Sequence, residues 1–253
     1  MSVVVLYKYA ANPQDATVAP DGAVDWSRAK SSVSDYDSVA IALGRQIAGA
    51  AGVELVGASV GAAEVGSSMA KKTALSKGLD RGLAVADDAT REWPSTRVAS
   101  ALAGLVRSVE GADLVVTGDS SIDGGARMMS ALVAGFLGWP CFQEVSSVAR
   151  SGDGWAVTQV IAGGTRTIQV AGPVVVAASS DAVAAKVPSM KEILAAGKKP
   201  FEVVDASTLD LAEADVEVTG RSKPAARARK NTVFSGESAA ADLVSALRGD
   251  GVL

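Results

Sequence analysis

The chain has 253 residues, 48% of them hydrophobic but only 4% aromatic, so alanine and valine must supply much of its core. Twenty-four lysines and arginines against 28 aspartates and glutamates leave a formal charge of −4, which argues against a general nucleic-acid binder. Histidine is absent and Cys141 is the only cysteine, which excludes a Ser-His-Asp triad, a histidine general base, any histidine-containing zinc site, a CxxC motif and an internal disulfide.

The length suits one large domain, or one domain with an extension. No run approaches the ~18 apolar residues of a membrane span. Met1-Ser2-Val3-Val4-Val5-Leu6-Tyr7-Lys8 lacks a basic lead and reads as a strand, not a signal peptide, so a cytoplasmic protein is expected, or a matrix-side one if an organelle is involved. Residues 3–7 are nearly all apolar, the pattern of a strand covered on both faces. Pro13, Pro20 and Gly22 make 9–34 irregular. Over 35–50, Val39, Leu43 and Ile47 recur four apart beside Ala40 and Ala48, which predicts a helix with one buried face. A strand at 54–59, a helix at 62–76 closed by Gly78 and a short strand at 83–85 follow, and Asp87-Asp88 read as a solvated pair. Ser95 opens a helix through Val98, Ala101, Leu102, Leu105 and Val109 that Gly111 stops. This alternation is the signature of βαβ units.

The next strand, 114–117, runs into Gly118-Asp119-Ser120-Ser121-Ile122-Asp123-Gly124-Gly125, and a helix follows with Met129, Leu132, Val133, Phe136 and Leu137 on one face, ended by Gly138 and Pro140. Cys141, just beyond, reads as a small apolar residue. Strands at 142–148, 155–161, 165–170 and 174–178, joined by glycine-rich turns, suggest a meander or mixed-sheet edge. Beyond 178 come a short helix at 189–196, a polar stretch at 201–231 with five basic residues in 221–230, and an amphipathic helix using Ala239, Leu243, Val244 and Leu247. The expected organisation is a domain at 1–200 and an extension at 201–253 that needs another surface to pack on.

A strand opening through a glycine-rich turn into a helix presents free backbone N–H groups and the positive end of a helix dipole, which can hold phosphate without a particular side chain. No Gly-Lys-Ser/Thr follows and no G-x-G-x-x-G is present, so the residues alone allow either a nucleotide site or a tight turn. Ligands of open α/β sheets gather at the carboxyl ends of strands, which adds Leu6, Tyr7, Lys8 and Val60 to the candidates. Asp123 suits a ribose hydroxyl or its own backbone. Asp35 and Asp37 stand where helix caps stand, and the basic run at 221–230 reads as a solvated linker. Nothing resembles a catalytic constellation or a metal site.

Taken in order, several stretches resemble the beta subunit of electron-transfer flavoproteins over nearly the whole chain. They are 3–8, 53–61, Thr73-Ala74-Leu75-Ser76-Lys77-Gly78-Leu79-Asp80-Arg81, 112–140, Gly163-Gly164-Thr165, 188–200, Arg229-Lys230 and Ser235-Gly236. Tyr7-Lys8, Asp21-Gly22-Ala23-Val24-Asp25-Trp26-Ser27 and Ser34-Asp35-Tyr36-Asp37 resemble the Fix-type branch, associated with carnitine reduction or nitrogen fixation. The resemblance implies a helix-covered, mostly parallel α/β sheet, Rossmann-like and of the adenine-nucleotide-hydrolase type. It implies a docking loop at 182–199 and a C-terminal arm at 201–253 wrapped on an alpha subunit. It further implies one FAD held mainly by that subunit, AMP or a second FAD in this chain, and electron passage between flavoprotein dehydrogenases or reductases and an acceptor, with no catalytic residue here.

By the same resemblance, the nucleotide lies across Leu6, Tyr7, Lys8, Ser34, Tyr36, Asp37, Val60, Gly118, Asp119, Ser121, Asp123, Gly124, Gly125, Ala126, Arg127, Met128 and Met129, while Met190, Lys198 and Lys199 dock the redox partner. Where the family's phosphate loop commonly continues with Thr-Gly-Gln-Val-Gly, Gly125-Ala126-Arg127-Met128-Met129-Ser130 stands here, leaving backbone N–H groups and Arg127 to meet phosphate. Two other readings are a free-standing adenine-nucleotide-binding domain of the universal-stress type and a structural subunit whose nucleotide site is empty.

Overall fold

A strand buried on both faces tolerates an unbroken apolar run, and in the computed structural model every residue of β1, Ser2–Leu6, is buried. The structure describes residues 1–212, 219, 224–225 and 231–253. The stretch from 9 to 34, expected to be irregular, carries four short strands: β2 (Tyr9–Ala11), β3 (Thr17–Val18), β4 (Val24–Asp25) and β5 (Ser31–Val33). β2 pairs with β5 and β3 with β4, both antiparallel. A turn in which the Ala23 N–H donates to Asp21 Oδ1, with Gly22 at φ 90°, closes the second pair. Runs of two or three residues are too short for an alternation to show.

Helix α1, Asp35–Ala51, buries Val39, Leu43 and Ile47 as their spacing predicts. It lies tight against the sheet, for a Cβ on Gly44 would stand 2.7 Å from Val5 Cγ2. Strand β6 is Glu54–Gly61. The single helix expected over 62–76 is instead a 3₁₀ turn, Ala63–Gly66, and a separate helix α2, Ser68–Leu75. The break lies at Ser67, whose hydroxyl accepts the Ala70 N–H and so starts a new helix. Strand β7 (Arg81–Ala86) leads to a 3₁₀ turn capped by Asp87, with Asp88 paired to Arg91. Then come α3 (Ser95–Ser108), β8 (Ala112–Gly118) and α4 (Met129–Leu137), which ends at Gly138 with φ 71°. Strands β9 (Cys141–Ser151), β10 (Gly154–Ile161) and β11 (Gly164–Val170) form the expected meander, and β12 (Val174–Ala178) returns between β9 and β8.

The nine-stranded sheet runs β11-β10-β9-β12-β8-β1-β6-β7-β13, where β13 is Phe201–Val203. From β9 through β13 in that order neighbours are parallel; only β10 and β11 run against theirs. Two apolar layers cover it: Val3 and Val5 face Ile41, Leu43 and Leu75, whereas Val4 and Leu6 join Leu102, Leu105 and Val133. This is an α/β, Rossmann-like architecture. The chain leaves β1 for β6 on one side and later returns through α3 to β8 on the other, so the strand order reverses at β1. Such a switch point opens a crevice at the carboxyl ends of the two strands.

The extension expected from 201 begins inside the main unit. β13 pairs with β7, Leu209 lies where a Cβ on Gly104 would meet it at 3.2 Å, and the Ala212 N–H donates to Ser100 Oγ. Residues 1–219 make one compact unit and 220–253 a second. The second contains α6, Ala239–Gly249, which buries none of its residues. All but residues 224 and 225 of the basic run at 221–230 lie outside the described residues.

Candidate functional site

The carboxyl ends of β1 and β8, where the switch point would place a ligand crevice, are tied together by Asp37, in the first turn of α1. Its Oδ2 accepts the Lys8 N–H (2.7 Å) and its Oδ1 the Gly118 N–H (3.1 Å), so one buried carboxylate joins the ends of β1 and β8. Burial pushes its pKa up to about 7, against the pull of those two N–H groups. Gly118 is required, since a Cβ there would stand 2.5 Å from Asp37 Oδ1 and 2.8 Å from the Tyr36 carbonyl carbon. Capping was the expected role of Asp37; its acceptors instead serve residues 29 and 81 positions away. Ser34 completes the junction by donating its N–H to the Lys8 carbonyl (3.0 Å). The Tyr7 backbone N–H donates to the Ala58 carbonyl and the Tyr7 carbonyl accepts from Ser59 Oγ, and burial raises the pKa of its phenol.

From Gly118 the chain enters the loop before α4. Lys8 Nζ pairs with Asp123 Oδ2 at 2.5 Å, tying the loop to β1. Burial pushes the Asp123 pKa up, but Lys8 and Ser121 outweigh it and hold the carboxyl below its usual range. Ser121 supports the glycines, its hydroxyl accepting the Gly124 N–H and its carbonyl the Gly125 N–H. The N–H groups of Ala126, Arg127, Met128 and Met129 have no acceptor among the described residues. The buried side-chain oxygens Ser34 Oγ, Asp119 Oδ1 and Ser179 Oγ, together with Asp113 Oδ1 elsewhere, also lack a partner among them. Ser179 directly follows β12, whose last residue, Ala178, pairs with Gly118, and its N–H donates to the Val145 carbonyl on β9. Free N–H groups at the start of a helix fit a phosphate, whereas Ser34 and Ser179 are buried, at 0% and 3% exposure.

The predicted residues are not equally placed. Lys8, Ser34, Asp37, Gly118 and Asp123 are joined by hydrogen bonds, and Ser121, Gly124 and Gly125 share one turn. Leu6 and Tyr7 are buried, so their side chains belong to the core, whereas Tyr36 and Val60 are half-buried at the ends of their elements. Arg127, expected to turn toward phosphate, pairs with Asp119 and with Glu144 on β9. Glu144, Gln143 and Ser179 carry no sequence signal for this place, because only strand pairing brings them to it.

A separate cluster forms at helix α5, Met190–Ala196. Ser189 and Glu192 make a reciprocal capping box, and Lys186 pairs with Glu192. That lysine and the Ser189 donors lower the Glu192 pKa to about 2. Met190 is 72% exposed and Leu194 66%. Lys198 is exposed, while Lys199 Nζ donates to the carbonyls of Leu75, the last residue of α2, and of Leu79 in the turn beyond it. A cavity of ≈200 Å³ lined by Lys71, Lys72 and Lys199 lies between α2 and α5. Another of ≈340 Å³, lined by Arg81, Glu202 and Leu209 among others, lies away from the crevice beside the start of β7. No helix among the described residues is long and apolar enough to cross a membrane, and none of their His, Cys, Asp and Glu side chains group as a metal site.

The family model described as the electron transfer flavoprotein domain matches residues 21–209, from the hairpin before α1 to the turn after β13. With well over half of the chain matched, on a mostly parallel sheet covered by helices, the chain belongs to the electron transfer flavoprotein domain family, whose proteins carry electrons.

Proposed function

We propose that this chain is the beta subunit, of the Fix type, in a heterodimeric electron-transfer flavoprotein, and that the crevice between β1 and β8 holds AMP or a second FAD. The observation that carries the reading is the row of free N–H groups at Ala126–Met129, set beside the Asp37 junction in a chain matched by this family's model. In this reading those N–H groups take phosphate, and Tyr36 and Val60 border the base. Lys8 and Asp123 hold the loop closed. A bound flavin would supply the redox chemistry, and this chain would supply position and electrostatics.

The FAD of the complex would be held mainly by the alpha subunit, with residues 220–253 as the arm packed on it. Met190 would anchor a flavoprotein dehydrogenase or reductase, Lys198 would add charge, and Lys199 would hold the anchoring helix to α2. The test is to denature the purified heterodimer and quantify released FAD and AMP. Two FAD, or one FAD with one AMP, is the expected result. One FAD without AMP overturns the nucleotide assignment, and a stable flavin-free monomer favours the free-standing nucleotide-binding domain.

A further inference from the structure

Arg127 stands at the phosphate loop, yet its guanidinium is already shared. One nitrogen, Nη2, donates to Asp119 Oδ2 and to Glu144 Oε1. The Asp119 side chain is only 9% exposed and its other oxygen has no partner among the described residues. Burial, and then the Glu144 charge beside it, raise the Asp119 pKa. Arg127 and Glu144 both have φ 53°, a left-handed conformation uncommon for side chains of this size. Two ends of one ion pair are thus held in uncommon backbone states, which persist only where surroundings fix them. Gln143 adds to the clasp by donating to the Arg127 carbonyl (3.1 Å) and to Ser130 Oγ (3.2 Å).

Charge decides what this clasp can do. The loop's other cation, Lys8, is committed to Asp123. If Arg127 swung to a phosphate, Asp119 and Glu144 would face each other and the incoming anion with no counter-charge. Glu144 and Arg127 are about half exposed, so the cost falls on Asp119, whose buried carboxylate would be left without a partner. We infer that Arg127 masks Asp119 and Glu144 as their counter-ion instead of binding phosphate, and that this triad limits the anionic charge the loop accepts. Phosphate recognition then falls to the N–H groups of Ala126–Met129. This inference rests on the nucleotide reading above and narrows it. A loop without an uncommitted cation favours AMP, with about two negative charges, or an FAD diphosphate of similar charge, over ADP and ATP.

The test uses the full chain with its partner subunit, stripped of exchangeable nucleotide and titrated with AMP, ADP and ATP by calorimetry. Wild type should prefer AMP. Arg127→Met should weaken AMP about tenfold or more, and adding Asp119→Asn and Glu144→Gln to it should restore most of that loss. A triple variant as weak as Arg127→Met would mean that Arg127 contacts phosphate directly, and an unchanged Arg127→Met would mean that no masking is needed; either overturns the inference. Should Arg127→Met fail to fold, the Asp119→Asn/Glu144→Gln variant with Arg127 intact decides. It should gain affinity for ATP, and unchanged discrimination against ATP refutes the charge limit. Wild type that takes up neither AMP nor FAD defeats the nucleotide reading itself, whereas AMP binding with failed restoration defeats only the role of the triad.

Discussion

The crevice and the α5 segment are held in opposite ways. At the crevice the bonds run between distant parts of the chain: Asp37 to Lys8 and Gly118, Lys8 to Asp123, Arg127 to Glu144. Around α5 they are local, with Lys186, Ser189 and Glu192 within seven residues, and only Lys199 reaches far, to α2. A site built from distant strands exists only when the whole sheet is in register. A self-capped helix keeps its shape through its own side chains and can present Met190 and Leu194 to solvent without a core beneath them. Damage at the crevice should therefore appear as lost fold stability, and damage to Met190 on α5 as lost partner affinity.

The largest effect that would break this contrast is the titration of Asp37. Its folded pKa, about 7, lies above its unfolded value. The folded state therefore binds the proton more tightly between about pH 4 and 7, and stability falls as pH rises through that window, by on the order of 4 kcal/mol from this group. Asp37→Asn should flatten that fall in urea melts taken at pH 4 to 8, and a variant with an unchanged pH profile would remove Asp37 from its central place. Gly118→Ala comes next, at about 3 kcal/mol by denaturation, because the new methyl meets backbone and the Asp37 carboxylate. Wild-type stability in that variant would show that the junction is loose.

At α5 the prediction reverses. Met190→Ala should weaken docking to the flavoprotein partner by about 2 kcal/mol, measured as the concentration dependence of electron transfer, with melting behaviour and nucleotide content unchanged. Smallest is Lys199→Gln, which loses the tie to the carbonyls of Leu75 and Leu79 and should lower stability by about 1 kcal/mol in the same melts. An equal or larger effect of Lys199→Gln on partner affinity, without loss of stability, would make it a docking charge instead.

What could be read from the sequence follows the same division. Helices α1 and α4 announce themselves by residues three and four apart and by the glycines that stop them, α3 by its spacing although it ends at Val109 and not at Gly111, and the apolar runs of β1, β8 and β12 mark buried parallel strands. The capped start of α5 is local and legible as well. Strand β13 is not, since three residues with two of them exposed carry no period. Nor is the role of Asp37, because its partners come from β1 and β8 and the sequence shows only an acid in a first turn. Arg127 was visible as an unusual residue in the loop, but Glu144, its counter-charge on β9, becomes a neighbour only through the β9–β12–β8 pairing.

Photolabelling the purified complex with 8-azido-AMP asks most directly whether the crevice between β1 and β8 holds the adenine nucleotide. Label should appear on peptides containing Tyr36 or Val60, or the loop from Gly118 to Met129, and be prevented by excess AMP. Competed label confined to the lysines between α2 and α5, or to residues 220–253, with none on the crevice peptides, would contradict it.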